Sequence, residues 1–85
     1  MKYNKLVFNE VSDNLSMAAH RLDSGYIVQV TFDSLENLND CVLYNDRGKL
    51  VDNEEGLDYK GVEEFIEKSE DLVTEMKETM MAMNM

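Results

Sequence analysis

Two side chains in this sequence are of the types that perform nucleophilic or acid–base chemistry, His20 and Cys41, and there is one of each. A thiol nucleophile needs a base within hydrogen-bond reach and a third group to orient that base. Nothing in the sequence marks that third member. His20 is therefore expected at the surface and Cys41, at the start of a strand, as a small core residue, so no catalytic residue is assigned and the chain is expected not to be an enzyme. The glycines Gly25, Gly48, Gly56 and Gly61 fall at neither Walker nor dinucleotide-loop spacing. Hard cations favour clustered oxygens such as those of Asp52, Glu54, Glu55 and Asp58. An EF-hand count with Gly56 at the sixth position, however, puts Val51 where a carboxylate is required. The expectation is no metal site and no cofactor.

Carboxylates are the residue type that the chain does concentrate. From Val51 onward eleven Asp and Glu face three Lys, whereas residues 1–50 hold seven against five Lys and Arg. Like charges crowded into one segment repel one another and oppose compaction, which leaves solubility or the steering of a partner as reasons to keep them. A final helix carrying Glu63, Glu64, Glu67, Glu70, Asp71, Glu75 and Glu78, relieved by Lys68 and Lys77, places like charges at i,i+4 in Glu63/Glu67, Glu67/Asp71 and Asp71/Glu75. Each such pair mildly destabilises a helix. Successive carboxylates one turn apart lie about 5.4 Å apart along the axis, loosely commensurate with the regular charges of a nucleic-acid backbone. The expected partner-binding residues are Asp52, Glu54, Glu55, Asp58, Glu63, Glu64, Glu67, Glu70 and Asp71, against the plainer reading of a solvated acidic face.

The wider composition bounds what these residues can belong to. Eighty-five residues with 44% hydrophobic content are too apolar for a disordered chain and too few for two independent cores, so residues 1–85 are expected to form one domain. Seven Met and four Tyr make that core soft. The lone cysteine forms no intramolecular disulfide and the N-terminus leads into no signal-like apolar run, so a cytoplasmic location is expected. A net charge of −10 is repelled by anionic lipid and by phosphate backbones, which disfavours direct membrane or nucleic-acid binding.

The elements that must position the carboxylates follow from periodicity. Lys2 to Val11 has strand composition. Leu15, Ala18, Ala19 and Leu22 fall at helical spacing, with Ser12 or Asp13 as N-cap and Gly25 as the stop, which predicts a short helix. A competing reading makes Met17 to Leu22 the first arm of a hairpin that turns at Asp23-Ser24-Gly25. Tyr26 to Asp33 alternates as a strand, with Tyr26, Val28, Val30 and Phe32 on one face. A polar link over Ser34 to Asp40 follows. Cys41 to Tyr44 and Lys49 to Val51 flank Asn45-Asp46-Arg47-Gly48, a type I turn with glycine at the αL position of a bulged hairpin. Residues 52–58 are expected as an acidic loop, and Asp58 or Gly61 as the cap of an amphipathic helix over about Lys60 to Met81, with Glu63 and Glu64 in its first turn. Its stripe runs through Val62, Phe65, Leu72, Met76 and Met83, widened by Ile66, Val73 and Met80, and a frayed Met-rich tail occupies 82–85.

The expected fold is thus α+β in the order β-α-β-β-β-α, a small antiparallel sheet packed against a long C-terminal helix, with Val28, Val30, Phe32, Leu43, Phe65, Leu72 and Val73 in the core. In composition and architecture over the whole chain, without a shared motif, it resembles virus-encoded inhibitors that mimic nucleic acid, including some anti-CRISPR and anti-restriction proteins. That resemblance implies a phage-type inhibitor occupying a basic cleft of a nucleic-acid-handling protein. The alternative is a structural or regulatory module that forms a homodimer through its Met-rich helix.

Overall fold

The structure, a computed structural model, describes residues 6–83, with side chains through Met76. Five antiparallel strands are followed by one helix: β1 Asn9–Ser12, β2 Leu15–Arg21, β3 Ile27–Asp33, β4 Leu38–Tyr44, β5 Leu50–Leu57 and α1 Tyr59–Met83. The strands lie in the sheet in chain order, each beside its sequence neighbour. The class is α+β, as expected, but the order is β-β-β-β-β-α.

The segment expected as a short helix is β2, which pairs with β3 without a break from Leu15↔Asp33 to Arg21↔Ile27. The competing hairpin reading is the correct one. Its turn is closed by Leu22 N–H donating to the Tyr26 carbonyl at 2.8 Å and Gly25 N–H to the Leu22 carbonyl at 2.9 Å. Gly25 has φ +92°, a left-handed conformation that glycine adopts without a Cβ penalty. Apolar residues at 15, 18, 19 and 22 fit the helical period, but in the strand only Ala18 and Leu22 of these face the core, and pairing with β1 and β3 overrides the helix preference of Ala and Leu. Of the first expected strand, residues 1–5 lie outside the described residues and only Asn9–Ser12 pairs with β2.

The link expected over Ser34 to Asp40 is shorter, because Leu38, Asn39 and Asp40 belong to β4. The β4–β5 hairpin turns as its sequence requires: the Asn45 carboxamide oxygen accepts from Arg47 N–H and Lys49 N–H, both at 2.9 Å. The acidic loop expected at residues 52–58 is instead mostly strand, since β5 runs through Leu57 and pairs Asp52 with Leu43 and Glu54 with Cys41.

The core lies between the sheet and α1. Val28 and Val30 of β3, Cys41 and Leu43 of β4, and Val62, Phe65, Ile66 and Val73 of α1 form one cluster with Leu22, and Leu6, Phe8 and Leu57 pack at its margin. Phe32 and Leu72, expected in the core, are half-buried. Met76 is 39% exposed, so the buried stripe of the helix runs through Ile66 and Val73 rather than through Leu72 and Met76. Buried Ser69 continues that stripe at no polar cost, because its hydroxyl donates to the Phe65 carbonyl at 2.8 Å.

Asp58 caps the helix, its carboxylate accepting from Gly61 N–H at 2.7 Å. The helix therefore begins at Tyr59, and the first turn holds no acidic residue; Glu63 and Glu64 sit one turn later. A Cβ on Gly61 would stand 3.1 Å from two Leu57 side-chain atoms and 3.3 Å from the capping oxygen, so glycine lets the strand end close against the helix start. Ala82 and Met83 are helical, and the rest of the expected frayed tail lies outside the described residues.

Candidate functional site

The antiparallel register decides where the carboxylates of β5 go. Leu43 and Cys41 of β4 point into the core, so their partners Asp52 and Glu54 stand on the same face of the sheet, the one that α1 covers. There Lys68 of the helix reaches both, its ammonium 3.7 Å from Asp52 and 3.4 Å from Glu54. The same ammonium lies 5.2 Å from the centre of the Phe65 ring, within cation–π range. All three charged side chains are part-exposed, so the attraction is screened by solvent and by salt. Its consequence is positional: it joins the acidic strand and the acidic helix into one surface.

Glu55 and Asp58 do not share that cluster. Glu55 lies at the irregular step of β5, where Asp40 faces it and accepts from Gly56 N–H at 3.0 Å. Asp58 is the helix cap.

On α1, helical spacing sorts the expected residues into two rows. Glu64, Lys68, Asp71 and Glu75 form the row on the β5 side. Glu63, Glu67 and Glu70 form the other, on the β2 side, where Glu70 lies 3.9 Å from His20 Nε2. Glu64, Glu67, Glu70 and Asp71 are exposed. Glu63 is only half-buried, and its Oε1 is shielded from solvent with no hydrogen-bond partner among the described residues. It is thus a weaker candidate for long-range attraction than its sequence position implies.

The Cys41 thiol is held apart from nucleophilic chemistry. Cys41 is fully buried at 0% exposure. Burial, reinforced by the charges of Asp40 and Glu54, pushes its thiol up to about 12, which keeps it in the un-nucleophilic protonated form at neutral pH. Among the described residues, no three His, Cys, Asp or Glu side chains are grouped so as to hold a metal ion. No helix of the described residues is long and apolar enough to cross a membrane.

One feature that sequence reasoning missed is a cavity at the end of the sheet. It is formed by Leu22, Asp23 and Ser24 of the β2–β3 turn and by Glu70, Val73 and Thr74 of α1. Only the hairpin reading of residues 17–25 brings that turn to the helix, so a helical reading of β2 hides it. No family model matches the chain, and neither a curated protein nor a solved structure was found to be similar to it.

Proposed function

We propose that this chain is a small non-enzymatic binding protein whose acidic surface occupies a basic cleft of a nucleic-acid-handling protein, as a nucleic-acid-mimicking inhibitor of the phage type does. The observation that carries the reading is the joining of β5 to α1 through Lys68. It leaves Glu64 and Asp71 exposed on the helix row beside Asp52 and Glu54, with exposed Glu67 in the adjacent row. Carboxylates about 5.4 Å apart per turn lie well inside the Debye length of ~8 Å at physiological salt. They therefore act on an approaching cation as one field, as a run of phosphates does. Complementarity of this kind raises the association rate and fixes register more than it adds affinity.

The test uses Glu64→Gln, Glu67→Gln and Asp71→Gln together, which removes three charges from exposed positions and adds no repulsion. Proteins retained by the immobilised wild-type chain at ~0.15 M salt should be nucleic-acid-handling proteins. Added duplex DNA or RNA should release them, and the triple variant should not hold them. Partners that resist both nucleic acid and the triple substitution would refute the mimicry.

A second reading has its own observation. The last helical residue with a described buried side chain is Val73, yet α1 continues to Met83, about 15 Å further at 1.5 Å per residue. That extension, starting with the 39% exposed Met76, suits a homodimer seam. Sedimentation mass that rises with concentration, is insensitive to salt and falls to monomer in Met76→Glu with Met83→Glu would favour it. A wild-type monomer at high micromolar concentration would remove it.

A further inference from the structure

We infer that the cavity between the β2–β3 turn and α1 is a binding pocket for one arginine side chain, supplied by the protein partner proposed above. Its volume is about 260 Å³, below the ~300–1,000 Å³ of sites that enclose drug-sized ligands, so its size suits one side chain. Its floor is apolar, built from Leu22 at 4% and Val73 at 3% exposure. The carboxylates at its border come from two elements: Asp23 from the turn and Glu70 from the helix. Two hydroxyls complete it. Ser24 Oγ accepts from Tyr26 N–H at 3.3 Å, and Thr74 Oγ1 donates to the Glu70 carbonyl at 2.9 Å, which leaves its lone pairs free to accept.

Among the described residues no cationic side chain lines this cavity, and its two carboxylates repel anions. A ligand that satisfies every wall has an apolar stem and a flat cationic head with several donors. An alkylguanidinium has that form. Its three methylenes cover apolar surface while its donors reach acceptors on separate elements, and it gives up hydration more readily than an ammonium. His20 Nε2 lies 3.9 Å from Glu70 Oε1.

The pocket opens on the same helix row as Glu67, so an arginine seated in it would fix the register of a basic cleft lying along α1. Only the owner of the arginine rests on the proposed function; the pocket chemistry stands apart from it.

The experiment titrates the full chain with N-acetyl-arginine N-methylamide and follows backbone amides by NMR, at one pH and constant ionic strength. The lysine analogue serves as the comparison. The expected result is saturable shifts at Ser24, Gly25 and Thr74, with the lysine analogue weaker by roughly tenfold, the worth of about one charge-assisted hydrogen bond. Asp23→Asn with Glu70→Gln should abolish saturation while the spectrum stays dispersed, because both side chains are exposed; Asp23→Asn alone serves if the pair perturbs the fold. Absence of saturable shifts at these amides, equal binding of the lysine analogue, or unchanged binding by the folded variant overturns the assignment. No partner is present in this titration, so its failure and the failure of nucleic-acid mimicry are separately visible.

Discussion

Cys41 shows at the scale of one residue how position decides chemistry. Its thiol is raised to about 12 from a value of 9.0 because burial penalises the thiolate, with Asp40 and Glu54 adding to the penalty. The folded state therefore holds this proton more tightly than the unfolded chain. The contribution to stability is fully present below pH ~9 and is lost progressively as pH rises toward ~12. Equilibrium unfolding should show that loss in the wild type and less of it in Cys41→Val, which keeps an apolar side chain at the site; equal alkaline slopes would mean that another group is responsible. A thiol reagent at pH 8 should likewise label Cys41 at the rate of global unfolding. Chain position alone identified Cys41 as a core residue, since it begins an apolar run. Its raised thiol was not legible there, because Asp40 and Glu54 become its neighbours only through the β4–β5 register.

At the scale of elements, α1 is specified redundantly: a side-chain cap, a buried face from Val62 to Val73 and the absence of proline all agree. Phe65 sits at its centre at 1% exposure, and Phe65→Ala should cost about 3–5 kcal/mol. That is a large share of the ~5–15 kcal/mol that stabilises a typical domain. A thermal melt that barely moves would show that the ring does not pack as described. Asp58→Ala removes the cap and should cost about 0.5–2 kcal/mol, read from denaturant midpoints at constant m-value. By contrast, β2 is specified only by its neighbours. Leu15, Ala18, Ala19 and Leu22 satisfy a helical spacing, whereas in the strand Ala18 and Leu22 share the buried face and Leu15 and Ala19 the exposed one, and the pairing with β3 decides between the two. The same physics explains β5, whose Asp52, Asn53, Glu54 and Glu55 have poor strand propensity. It is a sheet edge, where charged side chains are favoured because they discourage pairing with other chains, and its Asn53 N–H is taken by the Asp52 carboxylate at 2.8 Å.

At the scale of the whole molecule, the candidate surface was legible as a list of carboxylates but not as a shape. Sequence spacing gives the two helical rows; the register of β5 and the reach of Lys68 are needed to join Asp52 and Glu54 to one of them. The net charge of −10 acts against the fold that carries it, and part of that cost can be isolated on α1. Glu67/Asp71 and Asp71/Glu75 are like-charge pairs one turn apart, each costing about 0.2–0.5 kcal/mol. Asp71→Gln with Glu75→Lys removes both repulsions and turns the second into a contact without charge conflict. The predicted gain is about 0.4–1 kcal/mol, and for a domain of this length 1 kcal/mol corresponds to about 4–8 °C in melting temperature. The gain should be largest at low salt and should shrink near 1 M, where the Debye length falls to ~3 Å. Added salt should correspondingly raise the melting temperature of the wild type more than that of the variant. If the two proteins melt together at low salt, the acidic row carries no stability cost, and the case that it is kept for a partner loses its energetic basis.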